Sequence, residues 1–171
     1  MQQDRDSNIR DFLISETFRF IARIISLPGV LRIALPGSFP KIQTNPKDTD
    51  ILITVRDDMD LSPLAAAARK LKGPAQSRNK GADIFLANSE GEYIGRICHW
   101  RQCGPRFRVS CDTYHCEQRV YLHDDLGDIQ LDPHLVKEPP LEVWPNIVTR
   151  GKIADDVLAA LVRFQSTQSN L

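Results

Sequence analysis

The chain has 171 residues, enough to bury one sizeable core without disulfide or metal staples. Its 42% hydrophobic content is that of an ordinary globular protein, and its net charge of zero gives no global basic field for nucleic acid or a membrane surface. Charges interrupt every apolar stretch well before the ~18 residues of a membrane span, and no signal-peptide pattern opens the chain, so we expect a cytoplasmic protein without a membrane partner.

Helical and strand patterns alternate in the first part of the chain. Apolar spacing over residues 8–27 predicts a helix, with Ser7 or Asn8 as its N-cap. The segment 30–35 is short and contains β-branched residues, which predicts a strand. A Gly-Ser turn, a short or broken helix and a loop then lead to a second strand, over about residues 48–55.

A second helix is predicted over residues 61–72, with Ser62 as its N-cap and Gly73-Pro74 ending it. The Pro-rich stretch 133–145 reads as irregular, and residues 152–165 as a closing helix. Five further strands are predicted, at residues 82–88, 93–98, 106–110, 118–123 and 128–132.

This order predicts a single α/β (α+β) domain over residues 1–171, with a mixed sheet and flanking helices. We place its core at about residues 28–98, a β-rich extension at about 99–132 and the closing helix at about 152–165. No internal repeat and no linker divides the chain.

Two carboxylates open the strand over residues 48–55. Side chains alternate along a strand, so Asp48 and Asp50 point to one face while Thr49 and Ile51 point to the other. Burying two like charges without a partner costs several kcal/mol, so such a pair favours a bound cation. Carboxylate oxygens suit Mg²⁺ or Mn²⁺. The alternative is a solvated strand end that binds nothing.

A Gly-Ser pair precedes these acids. Gly37 allows a sharp backbone turn after the first strand, and the N–H groups that follow it can hold a phosphate together with the Ser38 hydroxyl. Nine residues separate Ser38 from Asp48. This order favours a triphosphate cradle beside a metal site.

Strand, Gly37-Ser38, a spacer and Asp48-Thr49-Asp50 followed by an aliphatic run together resemble the nucleotidyltransferase superfamily. The likeness is greatest to the palm of DNA polymerase β and its family X relatives, which also carry Gly-Ser-Phe. It covers about residues 28–98. The family has a basic residue directly after this Phe, where this chain has Pro40 and places Lys41 one step later.

The family needs a third carboxylate on a neighbouring strand. Asp83, just inside an apolar strand, is the first candidate, and its alternative is an acid at a strand start paired with Lys80 or Arg78. The other candidates for the third carboxylate are Asp128 and Asp132.

The resemblance implies a two-metal transfer of a nucleoside monophosphate from a nucleoside triphosphate (NTP) to an acceptor hydroxyl, with Mg²⁺ or Mn²⁺ as cofactor. It implies that Asp48 and Asp50 ligate both ions. Asp83 would bind the ion on the side of the nucleophile and accept its proton. Gly37-Ser38, with Lys41, would hold the phosphates. The acceptor could be a protein, a small molecule or a nucleic-acid end, and activity could need a partner protein.

Two other readings stay open. The first is an inactive nucleotidyltransferase-like module that binds nucleic acid or protein, because Lys and Arg outnumber Asp and Glu by nine to three over residues 69–108. The second is a nucleic-acid-binding protein stabilised by a structural zinc ion. Its four candidate ligands, spaced more widely than in the usual zinc knuckle, are Cys98, Cys103, Cys111 and Cys116.

Overall fold

The computed structural model describes residues 2–41, 46–98, 119–123 and 131–169. In this part of the chain the helices are α1 (Gln2–Ile24), α2 (Ser62–Gln76), α3 (Pro133–Lys137) and α4 (Asp155–Gln168). The strands are β1 (Val30–Leu35), β2 (Asp48–Val55), β3 (Gly81–Ala87), β4 (Tyr93–Ile97), β5 (Leu122–His123), β6 (Leu141–Trp144) and β7 (Val148–Thr149).

The strands form one sheet in the order β5-β4-β3-β2-β1-β6-β7. Strands β2 and β3 are parallel and are joined through α2, whereas the other neighbours are antiparallel. The predicted mixed α+β class is therefore confirmed. Within the described residues, no helix has the length and apolar character needed to cross a membrane.

The two faces of the sheet differ in what covers them. The helix face packs against α1, α2 and α4, and its strand residues belong to one apolar core with Leu13, Leu64 and Leu161 of those helices. A smaller apolar cluster lies on the opposite face, which we call the acid face. Its buried members are Ala34, Leu52, Phe85, Ala87 and Val136.

The predicted bounds of β1 and β2 are confirmed, but several of the predicted helix ends are wrong. Helix α1 begins at Gln2, so neither Ser7 nor Asn8 can cap it. The N-cap of α2 is Leu61 and not Ser62, which is the first residue of the helix. The side chain of Asp60 accepts hydrogen bonds from both the backbone and the hydroxyl of Ser62.

Gly73-Pro74 does not end α2, which continues to Gln76. Pro74 has no N–H to bond the carbonyl four residues earlier, and the helix runs only two residues beyond it. The C-cap residue Ser77 also donates hydrogen bonds to Gly73 and Pro74 carbonyls.

The stretch 133–145, predicted to be irregular, contains α3 and β6. Asp132 caps α3 by accepting a hydrogen bond from the backbone of His134, and β6 forms because it pairs with β1. The closing helix is confirmed as α4, shifted by three residues at its start. The predicted strand 106–110 lies outside the described residues, as do residues 99–118 and 124–130 of the β-rich extension.

Candidate metal centre

Three carboxylates meet where β2 and β3 lie side by side. The two strands are in parallel register, with Asp50 directly opposite Asp83 and Asp48 opposite Gly81. One carboxylate oxygen from each of Asp48, Asp50 and Asp83 lies within 4.8 Å of the other two. We call these three residues the acidic triad. The structure therefore brings together the three acids that the sequence singled out.

The residue between the first two acids shows how the strand separates its two faces. Thr49 is fully buried on the helix face, where its hydroxyl lies 3.1 Å from the hydroxyl of Thr17 on α1. Asp48 is exposed and Asp50 half-buried on the other side. Strand alternation thus lets β2 join the core while its carboxylates remain accessible.

The backbone approaches the triad closely at two glycines. A Cβ atom placed on Gly37 would lie 2.3 Å from a carboxylate oxygen of Asp50, so a larger residue there would force the loop or the Asp50 side chain to shift. A Cβ on Gly81 would lie 3.1 Å from the Cβ of Asp48. Gly37 thus brings the loop after β1 against the triad; we call residues 36–41 the Gly-Ser loop.

The triad carries a concentrated negative charge. Burial, above all, together with the charges of Asp48 and Asp83 raises the pKa of Asp50 from its ordinary value of 3.8 to about 6. A proton relieves this repulsion only in part. Divalent ions bound by oxygen ligands relieve it more fully, and carboxylates are the ligands that Mg²⁺ and Mn²⁺ take. The donor set therefore fits these ions.

One cation of the described chain lies against the triad. A terminal nitrogen (Nη1) of Arg96 on β4 is 3.3 Å from a carboxylate oxygen of Asp83, and the Arg96 side chain is 12% exposed. The sequence instead offered Lys80 or Arg78 as partners for Asp83. Arg78 stacks over the ring of Phe12, with its guanidinium carbon 4.3 Å from the ring centroid.

The contact between Arg96 and Asp83 depends on sheet register. Antiparallel pairing places Arg96 opposite Phe85, two residues along β3 from Asp83 and on the same face. In the sequence, Arg96 was only one of the basic residues that are in excess over residues 69–108. A strand pattern gives no register, so this partnership had no sequence signal.

The other predicted nucleotide ligands lie in the Gly-Ser loop. Ser38 and Lys41 are exposed, and the backbone N–H of Lys41 donates a 2.9 Å hydrogen bond to the Ser38 carbonyl. The loop thus turns tightly just after Gly37. The short helix predicted between this turn and β2 is not formed by residues 36–41 or 46–47, and residues 42–45 lie outside the described part.

Those of the remaining candidates that the structure describes, Asp132 and Cys98, do not add ligands to this site. Asp132, one alternative for the third acid, is the N-cap of α3 and does not belong to the carboxylate group. Asp128 lies outside the described residues. Cys98 is fully buried. The other three cysteines of the predicted zinc set, Cys103, Cys111 and Cys116, lie outside the described residues.

No family model, curated protein or solved structure matches this chain. The likeness to nucleotidyltransferases therefore stays a prediction, carried by Gly37-Ser38 and by Asp48-Thr49-Asp50. The chemistry of the site has to be inferred from the arrangement of the acidic triad and the loop beside it.

Proposed function

We propose that the acidic triad binds Mg²⁺ or Mn²⁺, and that the protein transfers a nucleoside monophosphate from an NTP to an acceptor hydroxyl. The observation that carries the proposal is the convergence of Asp48, Asp50 and Asp83 on two parallel strands, with Gly37 packed against Asp50. A transferase of this type needs such a metal site beside a backbone turn that can hold phosphates.

Asp48 and Asp50 would hold both ions, and Asp83, on the neighbouring strand, would bind the ion on the side of the nucleophile. Bound divalent ions would lower the pKa of the attacking hydroxyl and neutralise charge on the phosphates, so that pyrophosphate leaves as the hydroxyl oxygen bonds to the α-phosphorus. Asp83 would accept the proton of that hydroxyl. The backbone of the Gly-Ser loop, with Ser38 and Lys41, would hold the phosphates. The cytoplasmic location predicted from the sequence is part of this proposal.

A second candidate is favoured by the contact between Arg96 and Asp83. A protein that satisfies one acid of the triad with its own guanidinium has less need of metal, as in an inactive module that binds nucleic acid or protein. The contact distance of 3.3 Å is long for a charge-assisted hydrogen bond. The pair therefore neutralises the triad only in part, which favours the metal site over the inactive module.

Binding of ATP, GTP, CTP and UTP, measured by calorimetry and thermal shift with and without Mg²⁺, tests the proposal. We expect Mg²⁺-dependent binding of at least one NTP in the wild type, weakened at least a hundredfold in Asp48→Asn/Asp50→Asn. This loss corresponds to about 2.7 kcal/mol. Asp58→Asn is the control, because it removes an exposed carboxylate just beyond the other end of β2.

Two results would count against the transferase. If no NTP binds the wild type at millimolar concentration, the second candidate replaces it. If an NTP binds equally well to the wild type and to Asp48→Asn/Asp50→Asn, the nucleotide lies elsewhere and the acidic triad is not its site.

A further inference from the structure

Arg10 connects the first helix of the chain with the last. It lies on α1 and is 7% exposed. Its Nε and Nη2 atoms donate hydrogen bonds of 2.5 and 2.9 Å to the two carboxylate oxygens of Asp156, in the first turn of α4. This bidentate ion pair holds the guanidinium in one orientation.

The same guanidinium reaches the Gly-Ser loop. It donates to the carbonyl of Phe39 at 3.4 Å and to the carbonyl of Lys41 at 3.3 Å, and its central carbon is 5.8 Å from the ring centroid of Phe39. The carbonyl between these two, that of Pro40, accepts a 2.9 Å hydrogen bond from the backbone of Ala154. Three consecutive loop carbonyls are therefore bonded to Arg10 or to the start of α4.

This arrangement matters for a loop that is to hold phosphates. A phosphate needs N–H donors, and carbonyl oxygens pointing at it would repel it. Bonding the carbonyls of residues 39–41 to Arg10 and Ala154 keeps these acceptors away from an anion beside Gly37. An ion pair between a buried guanidinium and a half-exposed carboxylate contributes little net stability compared with apolar packing, so a geometric role accounts better for a charged residue here.

We propose that Arg10 is a positioning residue of the nucleotide site, held by Asp156 and fixing the backbone of the Gly-Ser loop beside the acidic triad. This inference rests on the proposed function, because it assigns the loop to the phosphates of the NTP. It gives α1 and α4, which bear none of the predicted ligands, a part in substrate binding.

A second arginine of the chain provides a matched control. Arg32 on β1 also forms a bidentate ion pair with a carboxylate, that of Glu142, and also donates to two carbonyls, those of Val136 and Lys137. It pairs across the sheet with Thr54, four residues along β2 from Asp50, so its bonds do not include the Gly-Ser loop. Substitution by Lys keeps the positive charge in both cases but removes the planar set of guanidinium N–H donors.

The experiment compares Arg10→Lys with Arg32→Lys and the wild type in two measurements. Amide hydrogen exchange reports the loop through the N–H groups of Lys41 and Ala154, with that of Ile53 in β2 as an internal reference. Calorimetry then gives the affinity for Mn²⁺ alone and for the NTP with Mg²⁺. Asp156→Asn, which keeps the shape of the acceptor, serves if Arg10→Lys does not fold.

We expect Arg10→Lys to speed exchange of the two loop-linked amides at least tenfold relative to Ile53. We also expect at least tenfold weaker NTP binding, with Mn²⁺ affinity within twofold of the wild type. Asp156→Asn changes the same quantities in the same direction by less, and Arg32→Lys changes none of them.

Four other results overturn the inference. If Arg10→Lys binds the NTP as the wild type does, or if its loop amides keep their protection, the inference fails and the proposed function stands. If Arg32→Lys weakens NTP binding as much as Arg10→Lys does, a general loss of stability explains the effect. If the wild type binds no NTP, the proposed function itself has failed and this role of Arg10 fails with it.

Discussion

Two charged clusters on the acid face of the sheet are built in opposite ways. In one, the carboxylate of Glu142 accepts hydrogen bonds from Arg32 at 2.9 Å and from Arg150 at 2.7 Å, so two guanidiniums share one acid. In the acidic triad, three carboxylates meet and Arg96 alone among the described cations contacts one of them in an ion pair. Among the residues that the structure describes, the first cluster therefore has more cations than anions and the second more anions than cations.

The pKa values of the two clusters follow this difference. The hydrogen bond from Arg32, above all, lowers the pKa of Glu142, so its ionised form is favoured by folding. Burial and neighbouring carboxylates raise the pKa of Asp50 instead, so its ionised form opposes folding. The chain can surround an acid with cations where only structure is needed. An acidic cluster whose charge is only partly neutralised destabilises the folded state, and binding sites retain destabilising features of this kind.

The largest effect is expected from Glu142→Gln. This change leaves two half-buried guanidiniums without their anion, and we expect a loss of about 2–3 kcal/mol in the free energy of unfolding at pH 7. A lowered pKa means that the contribution of Glu142 is present above pH 4.5 and is lost as the pH falls.

Urea unfolding of wild type and Glu142→Gln at pH 7 and pH 3.5 measures this loss, which should shrink at the lower pH. Mn²⁺ affinity should not change. A drop in Mn²⁺ affinity would contradict the separation of the two clusters.

Gly37→Ala should have the next largest effect. The new Cβ would lie 2.3 Å from the Asp50 carboxylate, so either the Gly-Ser loop or the side chain of Asp50 must move. We expect about tenfold weaker Mn²⁺ binding, which corresponds to about 1.4 kcal/mol. Gly73→Ala in α2 is the control, because a Cβ there meets nothing within 4 Å and a helix favours Ala over Gly. Equal Mn²⁺ affinity in both variants would mean that the loop does not pack on the triad.

Asp50→Asn should have the smallest effect, and its sign is opposite to that of Glu142→Gln. The rise of the Asp50 pKa from 3.8 to about 6 corresponds to roughly 3 kcal/mol at most, and solvent screening at this half-buried site reduces it. We expect the metal-free variant to be about 1 kcal/mol more stable than the wild type at pH 7.5. This gain disappears as the pH falls through 6 towards 4, because wild-type Asp50 then becomes protonated. Thermal unfolding across this pH range measures it, and a less stable variant at pH 7.5 would contradict the pKa shift.

The sequence predicted the acidic residues of the site but not the residues that contact and position them. The alternation of apolar and polar residues is local, so the bounds of β2 and the shared face of Asp48 and Asp50 could be read directly from it. Asp83 followed from the resemblance and from its place at the start of a strand.

Contacts that depend on tertiary structure could not be predicted. Arg96 reaches Asp83 through the register of two strands, and Gly81 lies opposite Asp48 for the same reason. Arg10 and Asp156 are 146 positions apart, and no local pattern links them. The sequence therefore predicts the ligands of such a site more readily than the residues that position them.

The most direct test of the metal site is the free energy of unfolding of wild type and Asp50→Asn at pH 7.5, each with and without saturating Mn²⁺. We predict that the order of their stabilities reverses. Without metal the variant is the more stable protein, whereas with Mn²⁺ the wild type becomes the more stable one, because only the intact acidic triad gains stability from the ion. If Mn²⁺ stabilises both proteins equally, or neither of them, the acidic triad is not a metal site.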